Sequence, residues 1–472
     1  MAKSSSQPVI VWFRQDLRLE DNPALYYAAQ QGQVLPVFIR ENHPMCQWPL
    51  GGASRCWLHH ALKALQKDCA GRLIIQSGDP SELLAQIAYE NNAQAIYWNR
   101  RYEPHNIQKD CQIKQALQDQ GLSVKSFKAS LLIEPWENLK GDQTPYRVFT
   151  PFYRQAIKQM DSVQTLAYPK ALCWAESNSN SLSVEKLELL PKQNWHQSLC
   201  GHWDISAKGA QKRLQDFVQQ ALLEYQVARD RPDKQGVSYL SPYLNFGQIS
   251  PQQIWQATYQ QELTDSVAAF QRQLIWREFS YHVLYYFPSI PAVNFKSKFD
   301  NLPWRDDKTS LERWQMGETG VPIVDAGMRQ LWQTGYMHNR LRMIVGSFLV
   351  KNLLIHWRHG ENWFWDTLFD ADLANNSLGW QWVAGTGLDA APYFRIFNPV
   401  TQGEKFDPDG CYTRYYVPEL KNLPNRYLMK PWQASQTVLN QANIKLGYHY
   451  PEPLVDLKES RKRALDAFHR LS

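Results

Sequence analysis

Pro8-Val9-Ile10-Val11-Trp12-Phe13-Arg14-Gln15-Asp16-Leu17-Arg18-Leu19-Glu20-Asp21-Asn22-Pro23 stands near the start of the chain. Its first part, residues 9–12, is a short apolar run of β-type residues. Its end is an N-cap asparagine followed by proline at the first helical position. A strand that feeds a helix in this way is half of a crossover unit. The alternation continues to residue 128, with further apolar runs at 34–39, 73–76, 95–98 and 124–127. Between them, Gly32 closes the first helix, and Asp79-Pro80 starts another with Glu82 in its first turn. A third helix opens at Pro104 and closes at Gly121. Five short strands joined by crossover helices predict an α/β fold: a doubly wound, five-stranded parallel sheet, Rossmann-like and covered on both faces. Ligands of such sheets sit at the carboxyl ends of the strands. No glycine-rich phosphate loop follows the first strand, however; residues 12–18 stand there instead.

Residues 129–205 are mixed and rich in Pro, Ser and Asn, and Ser177-Asn178-Ser179-Asn180-Ser181 reads as a solvated loop. From about 206 the pattern is helical, with apolar residues at helical spacing in 271–286, 325–334 and 339–357 and a last helical segment at 458–471. The expected organisation is an α/β domain over 1–130, a connector over 131–205 and an all-helical domain over 206–472. No internal repeat is visible.

The chain has 472 residues, 44% of them apolar and 20% charged, which excludes a disordered chain and leaves room for two or three domains. The net charge is +6, so an anionic partner has to be met by a local patch and not by a polycationic tail. No apolar run approaches the roughly 18–20 residues of a membrane helix. The start, Met1-Ala2-Lys3-Ser4-Ser5-Ser6, lacks the apolar stretch of a signal peptide. The seven cysteines are odd in number and scattered, with no C-x-x-C pair. These features lead us to expect a cytoplasmic protein with reduced thiols. The 19 Trp exceed what one core of this size usually needs.

Several constellations could carry chemistry. Gly385-Thr386-Gly387-Leu388-Asp389-Ala390 fits G-x-G-x-x-A, but no strand-to-helix unit surrounds it and Pro392 follows, so it reads as a turn. His356-Trp357-Arg358-His359 reads as a helix end whose cations favour the local dipole, and no metal is expected there. The half of the chain that holds only Cys411 cannot supply a four-cysteine cluster. Asp370-Ala371-Asp372-Leu373-Ala374-Asn375-Asn376-Ser377-Leu378-Gly379-Trp380-Gln381-Trp382 reads as a turn and a helix cap, or as acceptors for a polar heterocycle. Asn339 and Arg342 lie one helical turn apart upstream, and Arg342 is a candidate ion-pair partner for one of those aspartates. In Gln273-Leu274-Ile275-Trp276-Arg277-Glu278, Trp beside Arg suits either a packed helix or a surface that stacks a base and pairs a phosphate.

Together these stretches resemble the photolyase/cryptochrome family over nearly the whole chain, and among its members the bacterial class I cyclobutane pyrimidine dimer photolyases most of all. Residues 12–19 resemble the family's opening motif. Residues 274–279, Met337-His338-Asn339-Arg340, residues 370–382 and Tyr393-Phe394-Arg395-Ile396-Phe397-Asn398-Pro399 resemble its catalytic-domain signatures. The resemblance implies an α/β antenna domain joined to an all-helical FAD domain. It places Tyr225 and the Ser238-Tyr239-Leu240-Ser241 loop at the FAD phosphates. Asn339, Arg342, Asp370, Asp372 and Asn376 would surround the isoalloxazine, with Asn376 facing N5. Arg229, Arg277, Arg340, Arg395 and Lys405 would meet DNA phosphates. Trp276 and Trp382 would wall the cavity for a flipped-out dimer, with Gln273, Asn339, Met343 and Gln402 also in the substrate set. Trp380, Trp357 and Trp304 match the family's chain that carries an electron from the surface to an oxidised flavin.

The implied activity is light-driven repair of UV-damaged DNA that contains pyrimidine dimers, by electron transfer from photoexcited reduced FAD, in a monomer without a metal. A second antenna chromophore, folate, deazaflavin or flavin, is implied in the N-terminal domain. His43, Trp48, Arg55, Glu103 and His105 lie near the relevant loops but match no single pigment's pattern. Three departures stand out. Gln273 replaces the usual Glu, Val237 and Tyr239 replace the Thr and basic residue common in the phosphate loop, and Tyr336 replaces a common Trp. Three alternatives stand beside this reading, the last a plain DNA-binding module, which would give no reason for the Asp370–Asn376 cluster. Photolyases of (6-4) photoproducts carry His where this chain has Asn339 and Met343, and His338 alone does not restore that pair. Signalling cryptochromes usually append a long low-complexity tail, whereas this sequence stops at Ser472 after a helical segment.

Overall fold

The computed structural model describes residues 7–41, 48–191 and 195–471. Contacts divide the chain into two compact units, residues 1–220 with 238–288 and residues 221–237 with 289–472. This grouping differs from the three segments expected from the sequence. The helix Asp265–Tyr286 belongs with the sheet-bearing unit and not with the C-terminal helices.

The first unit is built on strands β1 (Val9–Phe13), β2 (Val34–Glu41), β3 (Ile74–Gly78), β4 (Ala95–Asn99) and β5 (Ser123–Phe127), all parallel, in the order β3-β2-β1-β4-β5. Strand β1 is central. Val9 registers with Val34 on one side and with Ala95 on the other, and all five β1 residues are buried. The crossover helices are α1 (Pro23–Gln31), α2 (Gly52–Asp68), α3 (Pro80–Glu90) and α4 (Pro104–Asp119). The Asn22 side chain accepts from Leu25 N, and Asp79 accepts from Ser81 N and Glu82 N, so both Asx-Pro starts work as the sequence indicates. Helix α4 closes one residue earlier than expected, at Gln120, with Gly121 just beyond. Helices α5 (Phe149–Ala156) and α6 (Trp195–Cys200) follow within the connector.

Residues 14–18, where a phosphate loop would stand, form a buried polar knot. Asn99 Nδ2 donates to Asp16 Oδ2 at 2.6 Å and to Asn22 Oδ1 at 2.8 Å. Arg14 pairs with Asp110 at 2.6 Å and lies over the Trp12 ring at 4.3 Å. Arg101 bridges Asp110 and Glu41, both at 2.6 Å. Burial alone would raise the Glu41 carboxyl, but Arg101 and Lys109 hold it down at about 2. Gly247 seats the knot: at φ +62° a Cβ there would stand 2.0 Å from Gln15 O.

The cysteines are less scattered in space than along the sequence. Cys56 of α2 and Cys200 of α6 bring their sulfurs into contact, with Cα atoms 7.3 Å apart.

The second unit is helical. The helices Pro322–Thr334, Asn339–Ser347, Trp357–Thr367 and Leu373–Ala384 pack around Leu341, Ile344, Val345, Trp357, Phe364, Trp380 and Val383. The helix expected over 325–334 begins earlier, at Pro322, with proline in its first turn. The single helix expected over 339–357 is broken. It ends at Ser347, continues as one wide turn over Phe348–Asn352, and stops at Leu354, whose φ is +55°. Residues 356–359 are consequently a helix start and not an end: the His356 side chain accepts from Arg358 N as an N-cap. Residues 385–390 form the expected turn, with Gly385 as a left-handed cap. Among the described residues no helix is long and apolar enough to cross a membrane.

Candidate active site

In the second unit the Asp372 side chain caps Leu373–Ala384 by accepting from Asn375 N at 2.8 Å, so the cap reading of residues 370–376 holds. The ion pair expected of Arg342 falls on Asp370. Arg342 Nη2 donates to both carboxylate oxygens at 2.8 and 2.9 Å, and Nε donates to Met337 O at 2.8 Å. The Asp370 side chain is 6% exposed. The helices that carry Arg342 and Asn376 pack on each other. Asn376 Nδ2 donates to Glu361 O at 3.1 Å. Asn339 is exposed, with its amide 4.0 Å from Met343 Sδ.

These groups leave open valences that test their fit to a flavin. Arg342 Nη1 has no acceptor and Asn376 Oδ1 has no donor among the described residues. An isoalloxazine edge carries both carbonyl acceptors and N–H donors, so one free donor and one free acceptor on adjoining helices suit it. The set fits FAD.

Glu361, which the sequence reading missed, anchors this region. It is fully buried, Ser377 Oγ donates to its Oε1 at 2.5 Å, and its Oε2 has no partner among the described residues. Burial raises this carboxyl to about 8, with Ser377 opposing. Its signal was a carboxylate on the stripe formed by Trp357, Gly360 and Phe364, four residues after Trp357.

The three tryptophans of the expected chain all lie in this unit. Trp380 is 3% exposed, its Nε1 has no partner among the described residues, and it packs edge-on against Phe364 and Trp314 at 4.9 and 6.2 Å. Trp357 is fully buried and donates Nε1–H to Asn294 Oδ1 at 2.7 Å. His356 stands between Trp357 and Trp304, with ring centroids 5.5 and 4.9 Å away. Nothing in the sequence marked His356 or Trp314 for these positions.

The arginines divide into two kinds. Arg340 pairs with Asp230 at 2.8 Å and lies over Phe406 at 4.3 Å. Arg229 is half-buried over the Tyr225 ring at 5.4 Å. Arg395 and Lys405 are exposed. Beneath Arg395, buried Lys351 donates to its carbonyl at 3.0 Å and fixes the loop. Trp382 is half-buried against the core, and Gln402 lies on the helix Pro399–Phe406. His338 caps Asn339–Ser347 through Nδ1, and burial pulls its imidazole down to about 4, so it is neutral. Tyr225 is buried, which raises its phenol.

In the first unit, Gln273, Trp276 and Arg277 sit on the helix Asp265–Tyr286. One face of Trp276 is already covered by Phe149, stacked at 3.6 Å and 7°. Arg277 donates to Ser130 O at 2.7 Å and to Glu278 at 3.2 Å, so this arginine is largely spent inside the unit. Ser238 Oγ accepts from Leu240 N at 3.4 Å, Tyr239 holds φ +54°, and Arg213 lies 5.4 Å over its ring. Ser241 starts the short helix Ser241–Asn245. His43 lies outside the described residues. Glu103 accepts from Asn106 Nδ2 at 3.0 Å.

The comparisons with known proteins agree with this architecture. Residues 9–170 match the family model for DNA photolyase, and residues 270–470 match that for the FAD binding domain of DNA photolyase. A deoxyribodipyrimidine photo-lyase of Agrobacterium fabrum is 47% identical over 98% of this chain and 97% of that protein. Cryptochrome-2 of Arabidopsis thaliana is 35% identical over 98% of this chain and 78% of that protein. A crystal structure of a bacterial class III photolyase from Agrobacterium tumefaciens superposes with a TM-score of 0.96 at 46% identity, covering 100% of this chain and 99% of the other. The chain belongs to the photolyase/cryptochrome family. Within it the chain is an enzyme, an FAD-binding photo-lyase that acts on DNA. The expected likeness to class I is revised, because the relative with this near-complete superposition carries the class III name.

Proposed function

We propose that this enzyme splits cyclobutane pyrimidine dimers in DNA and that it is of the class III type. The observation that carries the proposal is the Arg342–Asp370 pair, its arginine on a helix packed against that of Asn376, with one free donor and one free acceptor for a flavin edge. Bound reduced FAD, excited by near-UV or blue light, supplies the single electron that lets the cyclobutane ring open and recovers it afterwards. The chain's own residues bind and orient. Asp370 fixes the Arg342 fork, and Asn376, held through Nδ2, offers Oδ1 to a protonated N5. Tyr225 and Ser238–Ser241 keep the phosphate roles implied by resemblance. Arg395 and Lys405, exposed and without ion pairs among the described residues, are the foremost phosphate contacts, ahead of Arg340 and Arg277. Trp382 in the second unit and, separately, Trp276 in the first keep the stacking roles implied by resemblance, and a lesion's poor stacking lowers the cost of flipping it out. Trp304, Trp357 and Trp380 serve reduction of the flavin. The relative named deoxyribodipyrimidine photo-lyase supports the choice of dimer. His338, neutral and spent as a cap, supports it over the (6-4) photoproduct. A light-harvesting pigment in the first unit completes the proposal, and spectra of pigments released by denaturation would identify it.

The test uses chemically reduced enzyme and two oligonucleotides, one with a single thymine dimer and one with a (6-4) photoproduct. Blue light should restore the 5,6 double bonds of the dimer, with no turnover in darkness. Turnover of the (6-4) oligonucleotide alone, or of neither, would overturn the proposal.

A further inference from the structure

Four residues of the first unit take no part in the chemistry above, yet they form a matched pattern. Cys56 and His60 lie four apart on α2, and His196 and Cys200 lie four apart on α6. A spacing of four places each pair on one helical face, and α2 and α6 pack together. The sulfurs of Cys56 and Cys200 and a ring nitrogen of His60 all lie within 4.8 Å of one another. Cys56 is fully buried and its Sγ reaches His196 O at 3.9 Å.

We propose that Cys56, His60 and Cys200 form a binding site for a divalent zinc-class ion that fastens α6 to α2. Two thiolates and one imidazole are the donor set of zinc sites, and tetrahedral bonds of about 2.0–2.3 Å put ligand atoms roughly 3.5 Å apart. The Cα separation of 7.3 Å leaves room for an ion once the two sulfurs, in contact here, part to that spacing. It exceeds the roughly 4.4–6.8 Å across which two cysteines normally bond directly. Binding is balanced without any redox partner: the ion displaces one proton from each thiol and accepts the lone pair of neutral His60, with no change of oxidation state. His196, one turn before Cys200, or water takes the fourth position. The scattered cysteines hid this arrangement, because Cys56 and Cys200 are 144 residues apart.

The experiment uses the full-length flavoprotein, purified with a reductant, stripped with a chelator and then titrated with Co(II). Oxidised flavin does not absorb in the far red, where tetrahedral cobalt thiolates have ligand-field bands. We expect those bands to saturate at about one equivalent per chain and to disappear on addition of Zn(II). Cys200→Ser and His60→Ala should each weaken cobalt binding at least tenfold, while Cys173→Ser leaves it unchanged. For the case of a misfolded variant, a second arm uses the wild-type chain. Zn(II) should slow alkylation of Cys200, and a chelator should reverse that protection. Absence of tetrahedral cobalt bands in the reduced wild-type chain would overturn the proposal. So would a Cys56–Cys200 peptide link that survives chelator and is released only by reductant, since that result identifies a disulfide.

Discussion

Gly360 lies so close to Trp380 that a Cβ added at 360 would stand 2.0 Å from the indole Cη2. Gly360 is also one helical turn from Trp357, so this glycine sets how near the indole can come to the helix of its expected electron partner. Gly360→Ala should cost about 1–3 kcal/mol by overpacking, because the ring is flanked by Phe364 and Trp314 and has nowhere to retreat. Urea denaturation would measure that loss. Photoreduction of bound flavin should slow in the same variant, and an unchanged rate would separate Trp380's position from its proposed role.

Asp370→Ala removes the carboxylate that Arg342 grips with one nitrogen. About 1.5–3 kcal/mol of stability should be lost, the usual worth of a hydrogen bond to a charged group. FAD should also dissociate more readily, since the Arg342 fork is no longer aimed. Equilibrium dialysis of flavin from wild type and variant reads the second effect. Equal retention would sink the assigned role of the pair.

Trp304→Phe keeps most of the packing volume and removes the outermost indole. It should block light-driven reduction of isolated enzyme yet leave dimer repair normal once dithionite has reduced the flavin. The reason is direction: repair sends an electron from flavin to lesion, and only photoreduction draws one through protein. Wild-type photoreduction in the variant would take Trp304 out of the chain. His356, between the Trp304 and Trp357 rings, gives a second check, because His356→Leu should also slow photoreduction.

Glu361 links stability to pH. Its carboxyl is raised to about 8 in the folded state from an ordinary value near 4.5. The folded chain therefore binds a proton that the unfolded chain releases, and stability from this group is full below about pH 4.5 and is lost as pH rises through 8. Glu361→Gln, which can still accept from Ser377, should flatten that fall. Denaturation midpoints at pH 6 and pH 9 would show it, and parallel curves for variant and wild type would refute the linkage.

Arg395 and Trp276 should separate affinity from lesion choice. Arg395→Ala should weaken damaged and undamaged DNA alike and lower the salt slope by about one contact. Trp276→Ala should weaken damaged DNA selectively, by about 1–3 kcal/mol if one stacking contact is lost. Phe149 covers one face of this indole, so only the other is available to a base. Equal losses on both DNAs for the Trp276 variant would remove it from recognition.

The parts of this molecule that short-range chemistry dictates were legible before any coordinates. Asn22 and Asp79 cap the helices they precede, Asp372 caps Leu373–Ala384, and the five apolar runs are the five strands. The break at Leu354 was not legible, because the left-handed turn there falls on a leucine and apolar periodicity runs straight through it. Partners distant in sequence were equally hidden. Of the two aspartates open to Arg342, only packing selects Asp370, and only packing sets Phe149 against Trp276 or Cys200 against Cys56. The phosphate-facing arginines illustrate the same limit: motif likeness grouped Arg277 and Arg340 with Arg395, while geometry shows the first two occupied by Ser130 and Asp230.

The polar knot of Arg14, Asp16, Asn22 and Asn99 has a consequence for redesign. In a sheet ordered β3-β2-β1-β4-β5, the order in which the parallel strands are laid down reverses between β1 and β4, and a nucleotide ordinarily enters beside that point. Here the entrance is plugged by buried charges that satisfy one another. Converting this scaffold into a dinucleotide binder is therefore not a matter of importing glycines after β1. Arg14, Asp110, Arg101 and Glu41 would have to be exchanged together, because Asp110 holds both Arg14 and Arg101, and deleting that carboxylate alone leaves two buried guanidiniums short of their partner at a cost of about 3–5 kcal/mol.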